Sequence, residues 1–92
     1  MCYVYPQIVV YVSKNRLGKF RYGITTSKKV GGAVQRSRCR RIIRAAVSEY
    51  EESVRDKGYD VVFVARKRTV QLKSTDLAEP IGKSLKKAGL LD

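Results

Sequence analysis

Ninety-two residues carrying a formal net charge of +12 make one small, strongly basic domain with room for a single core. There is no histidine, and the two cysteines, Cys2 and Cys39, argue against both a disulfide framework and a structural zinc site. No apolar run approaches the roughly 20 residues that span a bilayer, and no basic-then-apolar leader marks a signal peptide. The expectation is a reduced, cytoplasmic protein with no membrane partner. The charge is also lopsided. Residues 1–48 hold eleven Lys and Arg and no acid, so they supply +11 of the total. That asymmetry points to a polyanionic partner.

In chain order, "QIVVYV" (7–12) reads as a strand with Ile8, Val10 and Val12 on its core face. A polar turn, "SKNRLGK", leads to a second strand, "FRYGITTS" (20–27), expected antiparallel to the first. "KKVGG" breaks the pattern, and a helix is predicted from Ala33 to about Lys57, stopped by Gly58. At 100° per residue Cys39, Ile42, Ile43, Ala46, Val47, Tyr50 and Val54 share one side, which makes Cys39 a core residue. Arg40, Arg41 and Arg44 fall opposite, with Arg36 at the border. Arg55 and Lys57 are expected in the last turn. "YDVVFVA" (59–65) is the most apolar strand and is placed in the centre of the sheet. A basic loop with Arg66, Lys67 and Arg68 follows. A final helix is expected from about Thr75, its candidate cap, to Gly89, with Pro80 and Gly82 opposing an early start or a straight course.

The segment "SKKVGGAVQRSRCRRIIRAAV" (27–47) holds seven cations and no acid. Arginine offers a planar fork of donors and a permanent charge, suited to phosphate oxygens. Arg36, Arg40 and Arg44 recur every four residues, roughly 6 Å per step along a helix, close to the spacing of successive phosphates. Gly31 and Gly32 let backbone approach a ligand, the helix start attracts anions, and Lys28 and Lys29 reinforce that end. The competing reading is a merely solvated charged face. For Tyr11 and Tyr22 the competing reading is packing within the sheet. No spaced pair of acids lies near the basic helix, which argues against a two-metal nuclease site, and there is no Walker-type loop. The residues alone lead to a basic nucleic-acid-binding domain, with no cofactor or metal expected in the protein itself.

"SKKVGGAVQRSRCRRIIR" resembles the signature of the bacterial ribonuclease P protein subunit, a Ser-Lys-Lys-x-Gly-Asn-Ala-Val run leading into an Arg-Asn-Arg-x-Lys-Arg helix. Ser27, Lys28, Lys29, Gly31, Ala33 and Val34 match the run. Arg36, Arg38, Arg41 and Arg44 match the helix, and Arg40 replaces a lysine. "VVYV", "YGITTSKK" and "YDVVFVARK" resemble the flanking strands in the same order. The resemblance implies an α+β domain over 1–92. A sheet of three to four strands is packed by the arginine helix, in a left-handed β-α-β crossover, and by a C-terminal helix. It also implies the function. The RNA of ribonuclease P cleaves precursor tRNA at the mature 5′ end with magnesium, and the protein binds that RNA and the single-stranded 5′ leader. By that resemblance Lys28, Lys29, Arg36, Ser37, Arg38, Arg40, Arg41 and Arg44 bind RNA. Tyr11, Arg36, Ser37, Arg41 and Arg44 are the leader candidates.

There are departures from the family pattern. Gly32 and Ser37 stand where the family has asparagine, which weakens capping at Gly32. The family also has an N-terminal helix that walls the leader cleft, whereas this sequence starts almost at the first strand. The expectation is a missing wall, truncated, removed or supplied by another copy, and an exposed sheet face open to self-association. Other readings are a ribosomal or chaperone-like RNA-binding protein, a nuclease acting alone, or an inactive redesigned or minimal variant.

Overall fold

The structure, a computed structural model, describes residues 1–92. Its elements are β1 (Cys2–Val4), β2 (Ile8–Lys14), β3 (Arg21–Thr25), α1 (Ala33–Val54), β4 (Tyr59–Ala65), a 3-10 turn (Lys67–Gln71) and α2 (Ser74–Ala88). The four strands form one mixed sheet in the order β1-β2-β4-β3. β2 runs antiparallel to β1 and β4, and β3 runs parallel to β4. β3, α1 and β4 therefore make a β-α-β unit, which needs a long connection because parallel neighbours cannot be joined by a hairpin.

Strand alternation sorts the side chains. Ile8, Val10 and Val12 of β2 face Ala65, Phe63 and Val61 of β4, and all six are buried. The core face expected for β2 is thus the observed one. β4 is interior, as its composition suggests. β2 and β3 point in opposite directions as expected, but they do not pair, because β4 lies between them. β1 was not foreseen: its three residues are too few to show alternation.

Both helices cover the same face of the sheet. α1 buries Cys39, Ile42, Ile43, Ala46, Val47 and Val54, which is the apolar stripe read from the sequence. Burial raises the Cys39 thiol above its usual range. α1 ends at Val54, earlier than expected, with no basic residue in its last turn. Lys57 N–H turns back to Val54 O, and Phe20 N–H takes Arg55 O, so the entry to β3 captures the helix end.

α2 starts at Ser74, and Thr75 does not cap it. Instead, Asp76 Oδ2 accepts the Lys73 N–H at 2.8 Å. Pro80 sits inside the helix without ending it. Gly82 follows from helix packing: a Cβ there would lie 2.5 Å from Tyr50 Oη, whose hydroxyl donates to Ala78 O at 2.7 Å.

The other face of the sheet carries no helix. Val4 (65% exposed), Tyr11 (48%) and Val62 (39%) lie on it, with Tyr11 flanked by Cys2 and Val62. No helix of the chain is long and apolar enough to cross a membrane.

Candidate nucleic-acid interface

The Ser-Lys-Lys turn closes β3 and opens α1. Val30 N–H bonds Ser27 O and Gly31 N–H bonds Lys28 O, while the Val30 side chain is buried and anchors the turn. Gly31 has φ +146°, and a Cβ there would lie 2.9 Å from Gln35 Cβ, so only glycine fits without strain. Gly32 occupies the N-cap position with no side-chain bond. The first N–H groups of α1 are therefore uncapped by a side chain, an arrangement that favours an anion.

Among the eight predicted RNA-binding residues, none forms an ion pair. The ion pairs in the structure are Arg21–Asp60 (2.8 Å) and Lys83–Glu79 (2.9 Å). Hydrogen bonding from Arg21 and then Asn15 holds the Asp60 carboxyl below the usual carboxylate range. Arg41 and Arg44 are exposed and make no side-chain hydrogen bond, and Lys28, Lys29 and Ser37 are likewise exposed. Arg38 and Arg40 are committed differently. Arg38 Nε donates to Val70 O at 3.0 Å, and Arg40 Nη2 donates to Thr26 Oγ1 at 3.1 Å. Arg36 is half-buried, with its Nε buried and unpartnered.

The basic segment 66–68, expected in a loop, forms the start of a pinned 3-10 turn, with Arg66 at its N-cap. Thr69 is 0% exposed. Its Oγ1 accepts the Arg66 N–H (2.9 Å) and donates to Gln7 O (2.6 Å), while Arg66 Nη1 donates to Tyr5 O (2.9 Å). Together with Arg38, these bonds fix the turn between the β1–β2 connection and α1. The pinned segment faces the Ser-Lys-Lys turn across a cleft of about 420 Å³, lined by Ser27, Lys29, Arg66, Lys67 and Arg68. The cleft lies at the carboxyl ends of the parallel pair β3 and β4, where α/β units place their ligands.

Tyr11 is not brought together with the other leader candidates. It lies on the uncovered sheet face, whereas Arg36, Ser37, Arg41 and Arg44 ride on α1 over the covered one. Sequence reasoning also missed Thr69, Val70 and Thr26. The one available signal was a Thr and an Asp three residues after a helix-start position, at 66/69 and 73/76, half of a capping box in each case.

A small α+β domain with an acid-free, arginine-rich first half of α1 and a basic cleft beside the turn that opens it has the features of the polyanion-binding class. The comparisons make the class particular. The ribonuclease P family matches residues 3–89. The ribonuclease P protein component of Pelotomaculum thermopropionicum is 43% identical over 81 residues, 88% of this chain and 71% of the relative. That of Clostridium botulinum strain Langeland is 37% identical over 83 residues, 90% and 75% of the two chains. The solved RNase P protein of Staphylococcus aureus superposes with a TM-score of 0.82 at 27% identity, covering all of this chain and 84% of the other. The Thermotoga maritima protein shares the fold with a TM-score of 0.80 at 24% identity, covering 95% and 82%. The chain belongs to the ribonuclease P family, the protein components of a ribonucleoprotein endoribonuclease.

Proposed function

We propose that this chain binds the RNA of ribonuclease P through α1 and the basic cleft, holds the 5′ leader of precursor tRNA, and so promotes cleavage at the mature 5′ end. One observation carries this reading: the predicted RNA-binding side chains, all on the first part of α1 and the Ser-Lys-Lys turn that opens it, form no ion pair. Arg41 and Arg44 take backbone phosphates, and each neutralised phosphate releases counterions. Arg38 and Arg40, held by Val70 and Thr26, set the position of the neighbouring surface and present their remaining donors. Lys29, Lys67 and Arg68 bind phosphate in the cleft. Tyr11 stacks a leader base on the open sheet face. RNA on α1 and leader on Tyr11 thus occupy opposite sides of the sheet, with the cleft at its end between them.

In this reading the protein supplies no reacting group. Magnesium serves the RNA-catalysed reaction, and the protein's cations offset repulsion between two RNAs, so its help is greatest when magnesium is scarce.

The test is cleavage of a 5′-extended precursor tRNA by a bacterial ribonuclease P RNA at low magnesium, with and without the protein. Stimulated cleavage at the mature 5′ end is expected. RNA binding without stimulation would instead make the chain an RNA-binding module of another kind. For the leader, Tyr11→Ala should weaken precursor tRNA binding more than mature tRNA binding, and equal losses would reduce Tyr11 to packing. Self-association through the open face would show as a mass that rises with concentration and falls when leader oligonucleotide is added.

A further inference from the structure

The groove between α1 and the outer edge of β3 starts at Arg40 on the arginine surface, and its far end, past Arg44, belongs to neither surface described above. Three contacts define it. Arg40 meets Thr26, Tyr22 Oη donates to Glu51 Oε1 at 3.4 Å, and Phe20 N–H donates to Arg55 O at 3.0 Å. Helix numbers rise as strand numbers fall, so the helix runs antiparallel to the strand. From Arg40 to Arg55 the groove is about 22 Å long. Residues 40, 44, 51 and 55 share one stripe of α1 at 100° per residue.

The end of the groove widens into an opening of about 370 Å³, lined by Phe20, Arg21, Tyr22, Glu51 and Arg55. Its aromatic wall is packed onto the core. Phe20 stacks on Tyr22 with ring centres 5.7 Å apart at 30°, and Tyr22 meets the buried Phe63 edge-on at 5.7 Å and 73°. Glu51 is an acid on the arginine stripe, yet it forms no ion pair with Arg44 or Arg55. One of its oxygens receives a long bond from Tyr22 and the other receives none.

We propose that this opening is a site for one unpaired guanine nucleotide of the RNA partner. The base extends the Tyr22–Phe20 stack, the Glu51 carboxylate accepts from the base, and Arg55 meets the phosphate. Guanine is chosen by the carboxylate. Its Watson–Crick edge presents two adjacent donors, N1–H and the N2 amino group, which a carboxylate accepts side by side. Adenine and cytosine offer one amino group there, and uracil one N3–H. Stacking on an aromatic ring and hydrogen bonding at that edge is how single-stranded RNA is read.

The inference rests on the RNA-binding reading, and the experiment separates the two. The protein is titrated with GMP, AMP, CMP and UMP while the ring protons of Phe20 and Tyr22 are followed by NMR. GMP should shift both rings and bind at least about fivefold more tightly than the other three. Glu51→Gln should erase that preference and leave the fold unchanged. Phe20→Leu, which keeps an apolar side chain but removes the π face, should weaken GMP binding about tenfold. Equal ring shifts with all four nucleotides, or a preference that survives Glu51→Gln, overturns the guanine site. If GMP moves neither ring while ribonuclease P RNA still binds, the guanine site falls and the RNA-binding reading stands. If neither binds, both fall.

Discussion

Replacing Thr69 by valine keeps the shape of the side chain and removes its hydroxyl. Thr69 is fully buried, and that hydroxyl serves two backbone groups: the N–H of Arg66 and the carbonyl of Gln7, 62 residues away in sequence. Valine leaves both without a partner, and each such loss costs about 1–3 kcal/mol. Allowing for the apolar gain of the added methyl, the net destabilisation should be about 2–4 kcal/mol. For a domain of this size that lowers Tm by on the order of 15 °C. Thr69→Ser is the control. It keeps both hydrogen bonds, loses one methyl, and should cost about 1 kcal/mol. Urea or thermal unfolding followed by circular dichroism measures both. A valine variant within about 1 kcal/mol of the parent, or a serine variant as damaged as the valine one, would refute the idea that this hydroxyl pins the turn. The Arg66 amide should also exchange with solvent faster in the valine variant, since its acceptor has gone.

Arg41→Ala and Arg44→Ala should each reduce the slope of log K against log salt for RNA binding by about one unit, in a filter-binding titration; an unchanged slope would mean these arginines only face solvent. Gly82→Ala should destabilise by about 1–2 kcal/mol despite alanine's better helix propensity, because its Cβ displaces the Tyr50 hydroxyl from Ala78 O. In a Tyr50→Phe background the same change should cost less, with only the ring contact at 3.0 Å left to relieve, so a double-mutant unfolding cycle checks it. The Asp60 carboxyl is held low by Arg21, so its contribution to stability is present above about pH 4 and is lost as pH falls through its lowered folded value. An acid titration of Asp60→Asn should lack that part of the decline and should match the parent's shape at neutral pH.

How far the sequence could be read depended on the distance between interacting residues. α1 is a local pattern, since apolar residues three and four apart make a stripe whatever the rest of the chain does. Its arginines were likewise visible as a run of charge. β4 gave itself away by being the most apolar segment: Val61, Phe63 and Ala65 fill the core, and Val62 and Val64 make its open face apolar too. By contrast, the division of labour among the arginines could not be seen. Arg41 and Arg44 remain free while Arg38 and Arg40 bind the protein, because their partners, Val70 and Thr26, are 32 and 14 residues away. The pairing of β3 with β4 rather than β2 was hidden for the same reason. Thr69 was the hardest case: a threonine in a basic segment reads as a loop residue, and only its contact with Gln7 makes it core. The placement of Tyr11 depends on which sheet face the helices cover, and strand alternation alone leaves that open when both faces carry apolar residues.

The position of β4 in the sheet also bears on how the chain comes off the ribosome. β2 and β3 both use β4 as their interior neighbour, with Ile8 opposite Ala65 and Arg21 beside Asp60. Until residues 59–65 have emerged, neither strand has that partner, and what can form is the three-residue pairing of β1 with β2 and α1. An isolated two-stranded hairpin is marginal in water. Until β4 is out, the residues before it are therefore an unassembled polycation, exposed to whatever RNA is nearby. Closing the sheet on β4 joins segments roughly forty to sixty residues apart, and such non-local closure is slow relative to helix formation.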